Sequence, residues 1–133
     1  MILWNRRHVI LDTNALSAFA GNDRALLKVL PMDRPWHLPV VVIGEYRFGL
    51  KDSREQKKRE QWLNELIALV NVLPITESTT RHYAVVRHDL KTANRKIPPN
   101  DSWIAALAME HDLPILSRDA HFEIIPRVRR VTW

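Results

Sequence analysis

Short, uninterrupted apolar runs alternate along the chain with longer segments whose apolar residues recur every three to four positions. This alternation constrains the fold more than any other feature. Val9-Ile10-Leu11 is the first run. It ends in Asp12-Thr13-Asn14 and leads into residues 15–20, which reads as a buried strand passing directly into a helix. A second helical stretch spans residues 23–30 and stops at Pro31. Residues 36–42 form another apolar segment with Pro39 inside it, and residues 43–50 have helical spacing with Glu45 near the start. Ser53-Arg54-Glu55-Gln56 matches the capping-box pattern, so a helix should follow with Trp62, Leu66 and Leu69 on one face and an end near Val70. Residues 72–75 give a third strand. Thr76 is placed to cap a helix on which Tyr83, Val86 and Leu90 share a side. Pro98-Pro99-Asn100 breaks that pattern and opens a further helix over residues 101–111, with Ile104, Leu107 and Ala108 inward. Residues 114–117 and 128–132 supply a fourth and a fifth strand.

Strands alternating with helices imply an α/β fold with a largely parallel sheet, and ligands of such sheets bind at the carboxyl ends of the strands. At 133 residues the expectation is one domain over the full length, 1–133. No cysteine is present, which excludes disulfides, thiolate zinc sites and cysteine nucleophiles and suits a reducing cytoplasm, the expected location. The apolar run at residues 38–43 is short and contains Pro39, so no membrane association is expected. Twenty Lys and Arg against fifteen Asp and Glu leave a formal charge of +5, compatible with an anionic partner or with solubility alone.

Four carboxylates fall where this topology can bring them together: Asp12 after the first strand, Glu45 after the second apolar segment, Asp101 at a helix start and Asp119 beyond the fourth strand. Each has an ordinary explanation alone. Asp12 can cap a helix, Glu45 can be a solvated helix residue, Asp101 can complement a helix dipole, and Asp119 can sit in a turn. Together, several anions at one sheet edge repel one another and raise each other's pKa unless a cation neutralises them. Oxygen donors without cysteine suit Mg²⁺ or Mn²⁺, and such an ion activates water and stabilises charge developing on a phosphate.

Val9-Ile10-Leu11-Asp12-Thr13-Asn14, Glu45, Pro99-Asn100-Asp101-Ser102-Trp103-Ile104-Ala105-Ala106 and Leu116-Ser117-Arg118-Asp119-Ala120-His121-Phe122 together resemble the PIN-domain ribonucleases, in particular the small toxins of VapC type. The resemblance covers essentially the whole chain. It implies a three-layer α/β/α sandwich around a mostly parallel five-stranded sheet, whose acidic pocket binds Mg²⁺ or Mn²⁺ and cleaves RNA. Asp12, Glu45, Asp101 and Asp119 match the family's acids. Asp12 and Asp101 would be the primary metal ligands, with Asp119 and Glu45 completing the site. Ser117 would orient a ligand or water, and Asn14 would support Asp12. The likeness also implies a homodimer and a cognate antitoxin seated on an apolar groove, for which Phe19, Phe48, Trp62 and Leu66 are the candidate residues. Two features depart from the family pattern. Residues 1–8 extend beyond the usual lead into the first strand, and Arg118 places a cation between Ser117 and Asp119, where it either contacts phosphate or points to solvent.

Arg87, Lys91 and Arg95 recur at i, i+4 and i+8 ahead of Pro98 and form a stripe suited to RNA phosphates, or else a solvated helix face. The six histidines show no paired metal-ligand spacing and read as surface or structural residues. The leading expectation is a metal-dependent endoribonuclease. Its rivals are a catalytically weak binding module on the same scaffold and a phosphatase with an Asp nucleophile. The phosphatase is disfavoured because position 14 is Asn where that chemistry pairs a second Asp.

Overall fold

The computed structural model describes residues 8–30 and 36–133. Along the chain run β1 (Ile10–Leu11), α1 (Thr13–Ala20), α2 (Arg24–Val29), β2 (His37–Pro39), α3 (Val40–Leu50), α4 (Gln56–Ile67), β3 (Asn71–Leu73), α5 (Glu77–Thr92), α6 (Pro99–His111), β4 (Ile115–Leu116), a 3-10 helix at Ala120–Ile124 and β5 (Arg130–Val131). The five strands form one sheet in the order β3-β2-β1-β4-β5, and every pairing is parallel. Helices flank it, giving the three-layer α/β/α arrangement expected from the sequence.

The central strands β1 and β4 are short and wholly apolar because they are covered on both sides: Ile10, Leu11, Ile115 and Leu116 are all buried. Helix α6 is nearly as enclosed, burying Ile104, Ala105, Ala106, Leu107 and Ala108 in succession. Each fully buried Leu or Ile side chain contributes roughly 1.5–3 kcal/mol relative to exposure.

Strand order places the functional edge. From β1 the chain steps outward to β2 and β3, then returns across β1 to β4 on its other side. The adjacent strands β1 and β4 thus form a topological switch point, where loops leaving their carboxyl ends diverge and open a crevice.

Several boundaries differ from the sequence expectation, each for a local reason. The second apolar segment is a strand only to Pro39, which becomes the N-cap of α3 with helix beginning at Val40, because proline's fixed φ and missing N–H suit a helix start and end a ladder. Ser53 does not cap α4. Its Oγ accepts from the Glu55 N–H at 3.2 Å within the α3–α4 turn, and α4 begins at Gln56 without a side-chain cap. That helix ends at Ile67, so Leu69 lies outside it and is 78% exposed, while the chain turns to pair β3 with β2. Helix α6 starts at Pro99 and not at Asp101, with proline at its first position. The stripe of Arg87, Lys91 and Arg95 is not wholly helical. Helix α5 stops at Thr92, Asn94 takes a left-handed φ of 54°, and Arg95 N–H returns to Leu90 O at 2.9 Å in a Schellman turn. The N-terminal extension before His8 and the stop at Pro31 lie outside the described residues.

Candidate active site

Asp12 leaves the end of β1 and caps α1, its Oδ1 accepting from Thr13 N–H at 2.8 Å. The helix-capping reading of this residue thus holds. Because Leu11 pairs with Leu116, the next residues, Asp12 and Ser117, emerge side by side from β1 and β4. Ser117 Oγ donates to Asp12 Oδ2 at 2.6 Å and accepts from Asp119 N–H at 3.0 Å. Asn14, at the start of α1, ties the two loops together: its Nδ2 lies 3.1 Å from Asp119 Oδ2, 3.2 Å from Ser117 Oγ and 3.3 Å from Asp12 Oδ2, while its Oδ1 accepts from Arg118 N–H.

Glu45 comes in on the second turn of α3, where Thr13 Oγ1 donates to its Oε1 at 2.8 Å. Asp101 comes in on the first turn of α6. All four acids, with Thr13, Asn14, Ser17 and Pro98, line one cleft of about 450 Å³. The sequence places them 33, 56 and 18 positions apart along the chain, and the fold converges them.

The electrostatics of this cleft are those of crowded anions. Burial pushes the Asp12 carboxyl up, hydrogen bonds from Ser117 and Thr13 oppose this, and repulsion from Asp119 and Glu45 adds to it. Asp101 is pushed up to about 6, first by burial and then by the charge of Asp12, with His121 acting in the opposite direction. A cavity lined by four carboxylates, with Asp12 and Asp101 held above their ordinary ionisation, is chemically suited to a cation, so the donor set fits a divalent metal.

Two residues at the cleft were not singled out from the sequence as site residues. Thr13 fixes Glu45 through its hydroxyl. His121 puts its Nε2 2.8 Å from Asp101 Oδ2, close enough for a charge pair when the ring is protonated, without the alignment of a hydrogen bond. Of the six histidines read as surface or structural, this one lies against a candidate site acid. The available signal was its position two residues beyond Asp119, in the turn that follows β4. Arg118 is exposed and its guanidinium lies 4.7 Å from the Trp133 ring centre, so its side chain is engaged with that ring.

Arg87, Lys91 and Arg95 do not enter the acid cleft. They line a separate pocket of about 670 Å³ with Tyr83, Lys96 and Pro99, and Pro99 adjoins the Pro98 that borders the acids. Tyr83 stacks on Trp103 at 3.8 Å between ring centres and accepts from Arg87 Nη1 at 2.8 Å. The proposed apolar groove is only partly assembled. Phe19 and Trp62 pack at 5.8 Å, but Leu66 is buried in the core because it faces inward from α4, and Phe48 is 80% exposed.

The sequence matches the PIN domain family over residues 9–128. The chain belongs to the PIN-domain family. This PIN domain is 32% identical over 99 residues to ribonuclease VapC4 of Mycobacterium tuberculosis, covering 73% of the chain and 76% of that relative. It is also 32% identical over 121 residues to the VapC ribonuclease Y4jK of Sinorhizobium fredii, covering 84% and 86%. Among solved structures it resembles VapBC-5, a member of the VapBC family of toxin–antitoxin systems from Mycobacterium tuberculosis, with a TM-score of 0.71, 29% identity and coverage of 96% and 99%. No helix among the described residues of this PIN domain is long and apolar enough to cross a membrane.

Proposed function

We propose that the chain is a metal-dependent endoribonuclease, a single PIN domain acting as the toxin of a toxin–antitoxin pair. The observation that carries this reading is the convergence of Asp12, Glu45, Asp101 and Asp119 from four separate elements into one cleft at the β1/β4 switch point. The VapC ribonucleases it resembles supply the substrate class, RNA, and the VapBC-5 structure supports an antitoxin partner.

In this reading Asp12 and Asp101 are the primary holders of the ion, Mg²⁺ or Mn²⁺, and Asp119 and Glu45 complete the set. A bound divalent cation supplies Lewis-acid polarisation of water and phosphate. The protein's own residues fix the geometry. The Thr13 N–H and the Ser117 hydroxyl each hold one carboxylate oxygen of Asp12, Asn14 sets the spacing of Asp12 and Asp119, and the Thr13 hydroxyl orients Glu45. Arg87, Lys91 and Arg95 hold phosphates of the RNA strand on one side of the scissile bond, since their pocket adjoins the cleft across Pro98-Pro99. The toxin works in the cytoplasm as a homodimer until its antitoxin binds.

The test is cleavage of a mixed structured-RNA panel by wild type and Asp101→Asn, each free of partner, with Mg²⁺, Mn²⁺ or EDTA. Cleavage that requires metal and disappears in the variant is expected. Full metal-dependent cleavage by Asp101→Asn would sink the mechanism.

A further inference from the structure

Among the described residues, His121 is the histidine that the tertiary structure brings against the acids of the cleft. One donor atom each from Asp101, Asp119 and His121 lies within 4.8 Å of the other two, and His121 Nε2 is 2.8 Å from Asp101 Oδ2. The ring is placed against the buried core. It rides on the 3-10 helix at Ala120–Ile124, beside Phe122, which is fully buried and lies 4.8 Å away between ring centres. A partly buried imidazole so placed changes the chemistry of the donor set. Carboxylates suit Mg²⁺ and Mn²⁺ alike, whereas imidazole nitrogen pairs with first-row transition ions and not with the hard, strongly hydrated Mg²⁺.

We infer that His121 is itself a ligand of the divalent cation, acting with Asp101 and Asp119, and that it biases the site toward Mn²⁺ over Mg²⁺. This rests on the metal-dependent reading above and deepens it by naming the ion. Neither the four acids nor their spacing distinguishes the two ions. The nitrogen donor does, because it adds affinity for a transition ion without matching affinity for Mg²⁺.

The test is pulsed electron paramagnetic resonance of Mn²⁺ bound to the purified protein, in which an imidazole ligand is read as nitrogen hyperfine modulation, together with Mn²⁺ and Mg²⁺ affinities by calorimetry. Modulation is expected in wild type and in His37→Gln, and is lost in both His121→Asn and His121→Asp. In His121→Asn the Mn²⁺ affinity falls about tenfold or more, while Mg²⁺ affinity changes less. Mn²⁺ that binds wild type without nitrogen modulation, or modulation that survives in both His121 variants, overturns the inference and leaves the nuclease reading standing. Mg²⁺ binding without Mn²⁺ binding overturns the inference alone, and binding of neither ion to wild type overturns both. The wild-type spectrum is decisive by itself, so the result does not depend on the variants folding.

Discussion

Ser117 Oγ donates to Asp12 Oδ2 at 2.6 Å, joining the ends of two neighbouring parallel strands across 105 positions of sequence. Both residues are buried, and the same hydroxyl oxygen accepts from Asp119 N–H and Asn14 Nδ2. Ser117→Ala therefore strips a donor from a buried carboxylate and leaves the Asp119 N–H short of an acceptor, while Asn14 Nδ2 keeps its two carboxylate acceptors. The expected cost is about 1–3 kcal/mol of stability, with Asp12 pushed further up and divalent-ion affinity reduced. Denaturant unfolding and Mn²⁺ titration measure the two effects. Unchanged values in both would show that the hydroxyl supports neither fold nor site.

Asp101→Asn should separate stability from activity. The Asp101 carboxyl is pushed up to about 6, from 3.8, so the folded state binds this proton more tightly than the unfolded chain. Stability of the metal-free protein consequently falls as pH rises from about 4 to about 6 and does not recover above that range. Asparagine removes this penalty. In EDTA at neutral pH the variant's Tm should rise by a few degrees above wild type, roughly the shift that 1 kcal/mol produces in a domain of this size. RNA cleavage is lost at the same time. A lower Tm than wild type would contradict the repulsion argument.

Ion binding must displace the Asp101 proton wherever that proton is present. Below about pH 6 the apparent affinity should drop about tenfold per pH unit for one linked proton, and binding should release protons into the buffer. Calorimetry at about pH 5.5 in buffers of different ionisation enthalpy reads that release directly. Affinity that stays flat between about pH 5 and 7 would remove Asp101 from the ligand set.

The basic pocket makes a prediction independent of chemistry. In the cleavage-deficient Asp101→Asn background, Arg87→Ala and Lys91→Ala should each weaken RNA binding and flatten its salt dependence. Every phosphate that a variant no longer neutralises reduces the log–log slope by about 0.7 for a single strand. Lys57→Ala, on α4 and outside that pocket, serves as the control. Equal slopes in all three would assign the α5 cations to solvent.

The alternation of apolar runs and amphipathic segments made the α/β order readable, and the acids at the ends of those runs made the site readable. Asp12, Glu45, Asp101 and Asp119 occupy one cleft because each follows or opens an element that the sequence marks plainly: the Val9-Ile10-Leu11 run, the apolar segment around Pro39, the Pro98-Pro99 break and the residues 114–117 run. Element edges were less legible. Leu69 fits the helical spacing of Trp62 and Leu66, yet α4 ends at Ile67 because the backbone is recruited to pair β3 with β2. Arg95 fits the spacing of Arg87 and Lys91, yet the left-handed Asn94 turns it off the helix. Periodicity reports which face an element would bury, and does not report where a competing hydrogen-bond partner ends it.

The sequence by itself determined the order of strands and helices, the absence of thiol chemistry and the identity of the four acids, because these depend on residue type and on local spacing. Only the tertiary structure decided which strands became neighbours, and with that the pairing of Ser117 with Asp12, the role of Asn14 between the two loops and the approach of His121 to Asp101. Most of these contacts span long stretches of chain. They are set by the return of the chain across β1 to β4, a choice made by burial of the whole sheet that no local pattern around any of these residues records.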